Sequence, residues 1–370
     1  MQERCNIQTR QAARPWRRWL AAGAVWAGGW LSAAAGTEPA AGAEPAVVPL
    51  SEFDARFRPV DQPVVMEYDL GYRFLHIELR RIGKIVATTT IGKWQHRVKG
   101  VEVPALLLDV RADSPDSGKK GERPRVSIHN RILAVVTVPE LEVLLFANYS
   151  DEYLNPLIGR ARENLSYAVY STEAGRVDYA CHHLQSGVVT TNLANPELLM
   201  ELSRRVRPVL NFLIRQCEKK DGEAGPDEPE RVMVNLDGRV EALRLLTHQE
   251  RSPACLGRRK FDALHMSTAT ERGSKARPRN FHAWCMPVET LAGQLNDAAL
   301  LTVARTAPVR TVVPLMLIYE LGVGSVRATM TGIHVGREGA ASGVARPVEN
   351  PAAPSTEKAS SVEASAAAGS

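Results

Sequence analysis

Short runs in which apolar and polar residues alternate one by one recur through most of the chain, and a period of two is the pattern of a half-buried β-strand. Leu75, Ile77 and Leu79 alternate with Phe74, His76, Glu78 and Arg80, and Gly83 predicts a turn before Ile85, Val86 and Ala87. The pattern continues over residues 101–110 and 125–137, which are separated by the polar loop 113–123. It returns over residues 165–170 and 176–182, joined by Glu173-Ala174-Gly175. Further on, residues 231–236 and 240–247 flank Asp237-Gly238, a pair that tolerates the positive backbone angles of a two-residue hairpin turn. Residues 261–267, 312–320 and 326–335 complete the set. Such a supply of strands predicts a mainly β (β-rich α+β) protein: a strongly curved antiparallel sheet or open half-barrel with a few covering helices.

Two segments break the period. Asn195 and Pro196 suit a helix start, and Leu198, Leu199, Leu202, Val206, Val209, Leu210 and Leu213 recur at helical spacing. Pro208 inside that stripe predicts a kink or a division into two helices, because it lacks a backbone donor and its ring collides with the preceding turn. A second helix is expected after Pro287, with Leu291, Leu295, Ala299 and Leu300 on one side.

The 370 residues are 44% apolar and 24% charged, a globular composition with a formal charge of +5. That excess is concentrated in residues 1–35, where Arg4, Arg10, Arg14, Arg17 and Arg18 stand against Glu3; elsewhere 41 basic groups face 40 acidic ones. Arg17 and Arg18 precede 13 uncharged residues and then Ser32, Ala33, Ala34 and Ala35. The order basic, apolar, small is that of a secretory signal peptide, and 13 residues reach only about 20 Å as a helix, short of a bilayer core. The expectation is cleavage after Ala34 or Ala35, a periplasmic or otherwise exported location, no lipoprotein anchor and no stable transmembrane span after cleavage. Residues 36–50 read as an Ala/Pro/Gly spacer, 51–335 as the folded body with a division into two halves offered at 219–230, and 336–370 as a disordered tail with nothing to bury.

The chain lacks a P-loop, GxGxxG, HExxH, GxSxG or EF-hand loop, and no cofactor is expected. Export makes disulfides among Cys181, Cys217, Cys255 and Cys285 open to consideration, the nearest-neighbour pairing being Cys181 with Cys217 and Cys255 with Cys285; four partly buried thiols are the alternative. Cys181, His182 and His183 are candidate metal ligands, with Cys217, His265, His282 and Cys285 able to complete a tetrahedral set. Adjacent strand residues point to opposite faces, so the expectation is that no metal site forms there. A thiol nucleophile at Cys181 and an acidic pair at Asp151 and Glu152 are the remaining catalytic candidates, and neither has a defined partner. Arg258, Arg259, Lys260, Arg272, Lys275, Arg277 and Arg279 form a local basic segment suited to an anionic envelope component. Trp284 reads as a core anchor.

Four short motifs carry a resemblance: Gly83-Lys84-Ile85-Val86, Asn235-Leu236-Asp237-Gly238, residues 281–284, and Val313-Pro314-Leu315 followed by Gly322 and Val326-Arg327-Ala328. In this order, over residues 64–335, the chain resembles an exported bacterial family known as domain of unknown function number 3108. The resemblance implies a curved antiparallel sheet similar to the open half-barrels of lipoprotein carriers, and it supplies no catalytic residues. The expected function is that of an exported non-catalytic envelope protein whose curved sheet binds a lipid or other amphipathic ligand, or an envelope protein partner. An apolar pocket would be lined by Leu75, Ile77, Leu79, Leu106 and Leu108. An envelope hydrolase and a structural scaffold are the alternatives, and nucleic acid is excluded as a partner by export.

Overall fold

In the computed structural model, which describes residues 50–74, 77–114, 126–154, 162–191, 196–219, 230–236, 239–256, 259–270, 281–320 and 325–336, the alternating segments pair into one antiparallel sheet. Its strands are β1 (Phe57–Pro59), β2 (Val64–Phe74), β3 (Ile77–Gln95), β4 (Glu102–Asp113), β5 (Val126–Thr137), β6 (Val143–Leu154), β7 (Arg162–Ser171), β8 (Asp178–His183) and β9 (Val188–Thr190), then β10 (Glu230–Leu236), β11 (Arg239–Leu256), β12 (Arg259–Thr270), β13 (Phe281–Pro287), β14 (Val312–Glu320) and β15 (Ser325–Val335). Five helices are described: α1 (Leu50–Arg56), α2 (Pro196–Arg204), α3 (Val206–Glu218), α4 (Val288–Leu295) and α5 (Ala298–Thr306). The segments expected to be signal peptide (1–35) and tail, most of the expected spacer and residues 220–229 lie outside the described residues.

The spatial order is β10 to β15, then β2 to β9, because the last strand pairs with β2 (Val326 opposite Tyr72, Val335 opposite Val64). The two sequence halves therefore meet in mid-sheet, and the sheet ends on β9 and β10 without closing into a barrel. Leu236 stands opposite Arg239, so the two strands pair in the register expected of a hairpin, while Asp237 and Gly238 themselves lie outside the described residues. Gly83, by contrast, is no turn: β3 runs through it for 19 residues. It is glycine because a Cβ there would lie 2.7 Å from the Asp113 carbonyl oxygen. The helical stripe does divide, but at Arg205. Pro208 sits in the first turn of α3, where an amide has no intrahelical acceptor and the missing donor costs nothing.

One face of the sheet carries the main core. Ile85 and Ala87 of β3, Ile132 and Ala134 of β5, Phe146, Tyr170 and Cys181 join Leu199 and Leu202 of α2, Phe212 and Leu213 of α3, and Met266, Ala283, Leu315 and Met330 of the second half. Helices α2 and α3 connect the edge strands β9 and β10 and fill this concave face: α2 contacts β10 and β6, and α3 contacts β10, β12, β13 and β14. The concave side of the half-barrel is therefore a packed interior. Leu108 of the expected pocket lies in that core, while the side chains of Leu75, Ile77 and Leu79 fall outside the described residues.

β5 to β8 are buried on their other face as well, through Leu133, Val135, Leu145, Ala147, Tyr167, Val169 and Ala180. Phe53 of α1, Phe57 of β1 and Trp94 of β3 belong to the same cluster. β1 reaches β3 only because residue 92 is glycine; a Cβ there would run into the Arg58 carbonyl and the Phe57 ring. Glu173, in the β7–β8 turn, locks this layer. Its carboxylate accepts from Trp94 Nε1 (2.9 Å), from the Arg97 amide (3.1 Å) and from the Arg56 guanidinium, whose Cζ lies 4.2 Å over the Trp94 ring. β3 and the β7–β8 turn are four strands apart, about 20 Å on a flat sheet. The contact requires the sheet to curl over its second face at this end.

Burial alone would raise the Glu173 pKa, but the hydrogen bonds from Arg56, Trp94 and Arg97 and the Arg56 charge outweigh it and hold the carboxyl below its ordinary value. A depressed folded-state pKa contributes stability above the unfolded pKa and loses it as pH falls through the folded value. With side chains only 4% and 12% exposed, Glu173→Gln removes the charged acceptor of the Arg56, Trp94 and Arg97 donors and leaves Arg56 with Glu52 as its remaining carboxylate partner, and it is expected to lower unfolding free energy by about 2 kcal/mol at pH 7. In denaturant titrations the difference from wild type should shrink below pH 4; equal stability at pH 7 would remove the latch.

Candidate functional site

Strand alternation decides where the second-half imidazoles point. His265 alternates with the core residues Leu264 and Met266, and His282 and Trp284 alternate with the core residues Ala283 and Cys285. These polar rings therefore share the outer face of β12 and β13. His265 stands opposite Trp284 in register and stacks on it, with centroids 4.4 Å apart and planes within 9°. His248, beside the irregularity where β11 and β12 shift register between Thr247 and Arg251, stacks on His265 at 4.1 Å. Its Nε2 lies 2.9 Å from Ser267 Oγ. His265 Nε2 and His282 Nδ1 face each other at 3.1 Å, and Glu320 Oε1 of β14 lies 3.9 Å from His282 Nε2. Four adjacent strands thus present a Ser267, His248, His265, Trp284, His282 and Glu320 array.

Burial and neighbouring groups favour the neutral form of His265 and His282. Burial first, then the neighbouring His248 and His282, pull the His265 pKa down to about 4. Burial lowers His282 too, and Glu320 only partly offsets it. Two facing nitrogens at 3.1 Å can share one proton but cannot both carry one.

The other candidate residues have different fates. Cys181 and His183 lie on the same face, Sγ 3.9 Å from Nε2, but Cys181 is fully buried in the main core. No disulfide joins Cys181, Cys217, Cys255 or Cys285. Neither expected pairing forms: Cys217 of α3 instead directs its Sγ at the Cys285 carbonyl (3.9 Å), while Cys255 is exposed on β11. Burial, with Cys217 beside it, pushes the Cys285 thiol well up, so it is no nucleophile. Asp151 lies in the middle of the sheet, its amide donating to Asn130 Oδ1. Among the described residues no three side chains of the metal-ligating kinds converge. Of the basic segment, Arg259 and Lys260 are described and exposed; Arg258, Arg272, Lys275, Arg277 and Arg279 lie outside the described residues.

Arg259 borders an open cleft of about 570 Å³, lined also by Leu256, Leu295, Asn296, Asp297, Ala298, Thr331, Gly332 and Ile333. The end of β11, the α4–α5 junction and the β15 bulge at Gly332 build it. Asp297 is occupied in capping α5, its carboxylate accepting from the Leu300 amide at 2.9 Å. Arg259 is thereby the cation at the rim, anchored by a long contact to the Gln294 carbonyl (3.5 Å).

These features define an open, strongly curved antiparallel β-sheet protein with a packed concave face and polar furniture on its periphery. Among the described residues no helix is long and apolar enough to cross a membrane. No family model matches the chain, and no curated protein matches it. A solved structure to which it is similar is a β-barrel-like protein of domain of unknown function DUF1849 from Brucella abortus, at 7% identity and a TM-score of 0.32, over 75% of this chain and 99% of that one.

The imidazole array makes stability pH-dependent in one direction. A histidine whose folded pKa is about 4 stays neutral while its unfolded counterpart, near 6.5, takes up a proton, so stability falls as pH drops from about 6.5 toward 4 and then levels. Denaturant melts across that window should show the fall, and His265→Asn should flatten it. A slope unchanged by that variant would contradict the assignment.

Proposed function

We propose that the chain is an exported, non-catalytic protein of the cell envelope that binds an amphipathic ligand with an anionic head in the Arg259 cleft. The observation that supports this reading is the Arg259 cation at the rim, placed to meet a phosphate or carboxylate, with Leu256, Leu295 and Ile333 adding the smaller, apolar part of a mainly polar lining. Its volume falls in the range of small-ligand sites, about 300–1,000 Å³. The packed concave face, filled by α2 and α3, favours a binding site at the end of the sheet over one inside the half-barrel. A non-catalytic role accords with the chemistry of the reactive groups: Cys181 and Cys285 are sealed in apolar surroundings, and Glu173 is committed to Arg56 and Trp94. The leader supports export, and the resemblance to family number 3108 supports the same exported, β-rich reading.

Two measurements test it. Protein recovered from the periplasm should begin at Ala35 or Gly36; an intact first residue would refute processing. Calorimetric titration with a 14-carbon lysophosphatidylglycerol should saturate at one equivalent, and Ala298→Trp, which fills the cleft from an exposed position, should abolish it. Arg259→Ala should weaken that anionic lipid about tenfold, or 1.4 kcal/mol, while leaving lysophosphatidylcholine unaffected. No saturation at millimolar lipid, or full binding by Ala298→Trp, would sink the reading.

A further inference from the structure

The outer-face imidazoles do not line the cleft, yet they are stacked in register and two of their nitrogens face each other at hydrogen-bonding distance. We propose that His265 Nε2 and His282 Nδ1 together chelate a divalent transition metal of the Cu²⁺ or Zn²⁺ kind on the outer face of β12 and β13.

The spacing is the first argument. Imidazole nitrogens bind these ions at about 2.0–2.1 Å, so two ligands on one ion stand about 3 Å apart. His265 Nε2 and His282 Nδ1 already stand 3.1 Å apart, from residues on neighbouring strands. A modest turn of each ring, from facing one another to converging on a common point, converts the shared-proton pair into a chelate. Imidazole is a preferred donor for Cu²⁺ and Zn²⁺, and solvent completes the coordination on this partly exposed face.

The surroundings are the second argument. A metal-bound histidine characteristically directs its other ring nitrogen to a carboxylate, which fixes its tautomer and raises its basicity. Glu320 Oε1 stands 3.9 Å from His282 Nε2 and favours the proton on that nitrogen, leaving the Nδ1 lone pair for the ion. His265 is held between the His248 and Trp284 rings at 4.1 and 4.4 Å, so its plane is set before any ion arrives. With the His265 proton on Nδ1 both ligands are neutral imidazoles, and binding releases no net proton.

Trp284 supplies the readout, because paramagnetic Cu²⁺ quenches an indole in van der Waals contact with one of its ligands. Full-length protein freed of metal by chelation is titrated with CuCl₂, glycine serving as competitor. The expected result is a saturable, one-equivalent loss of fluorescence that Trp284→Phe eliminates. His265→Ala and His282→Ala should each weaken Cu²⁺ by more than about tenfold, and Glu320→Gln by a smaller factor. Electron paramagnetic resonance of the wild-type complex should show coupling to two imidazole nitrogens, a measurement that needs no variant to fold. Fewer than two coupled imidazoles, or folded His265→Ala and His282→Ala proteins that bind Cu²⁺ as wild type does, would overturn the site.

Discussion

A single carboxylate, Glu173, holds together parts of the fold that the sheet alone would leave far apart. The strands β5 to β8 are apolar on both faces, so one covering core is insufficient and the second face must be closed. Closure comes from α1, β1 and the end of β3, and these are fastened to the β7–β8 turn by the Arg56, Trp94 and Arg97 donors that converge on Glu173. A charged acceptor with this many donors is stronger than a neutral one, and low exposure keeps water from competing. The curl of the sheet at this end follows from that contact.

Closure of one face and filling of the other leave function at the margins. Helices α2 and α3 cross the concave side and turn the half-barrel's mouth into core, so neither Leu106 nor Leu108 lines an empty pocket. What stays accessible is the rim cleft at Arg259, built where β11 ends and β15 bulges, and the outer-face array of His248, His265, His282 and Trp284. Both depend on strand geometry: the bulge between Met330 and Gly332 borders the first, and local alternation over residues 264–266 of β12 and 281–285 of β13 aligns the second.

Much of the fold was legible because strand burial writes itself into sequence with period two. β15 coincides with the alternating run at 326–335, its burial alternating over most of its length, and Leu236 pairs with Arg239 across residues 237–238. β6 was not legible: Val143, Leu144, Leu145, Phe146 and Ala147 lack alternation because both of their faces are buried, which erases the period. Gly83 misled because close backbone approach and tight turning select the same residue. For the sites, His265 and His282 stood out as ligand types, but the sequence paired them with cysteines that alternation sends to the opposite face. Arg259 was one of seven basic residues with nothing local to distinguish it.

By itself the sequence determined the mainly β class, the antiparallel pairing of consecutive strands, the helical break in the middle and the neutral charge of the body, since each depends on local periodicity, turn chemistry or composition. Tertiary structure decided the meeting of β15 with β2, the second-face closure by Glu173, the cysteine neighbours and the stacking in a row of imidazoles from three strands. Those depend on contacts between residues from 17 to more than 200 positions apart, and no local pattern encodes which distant strand will lie alongside.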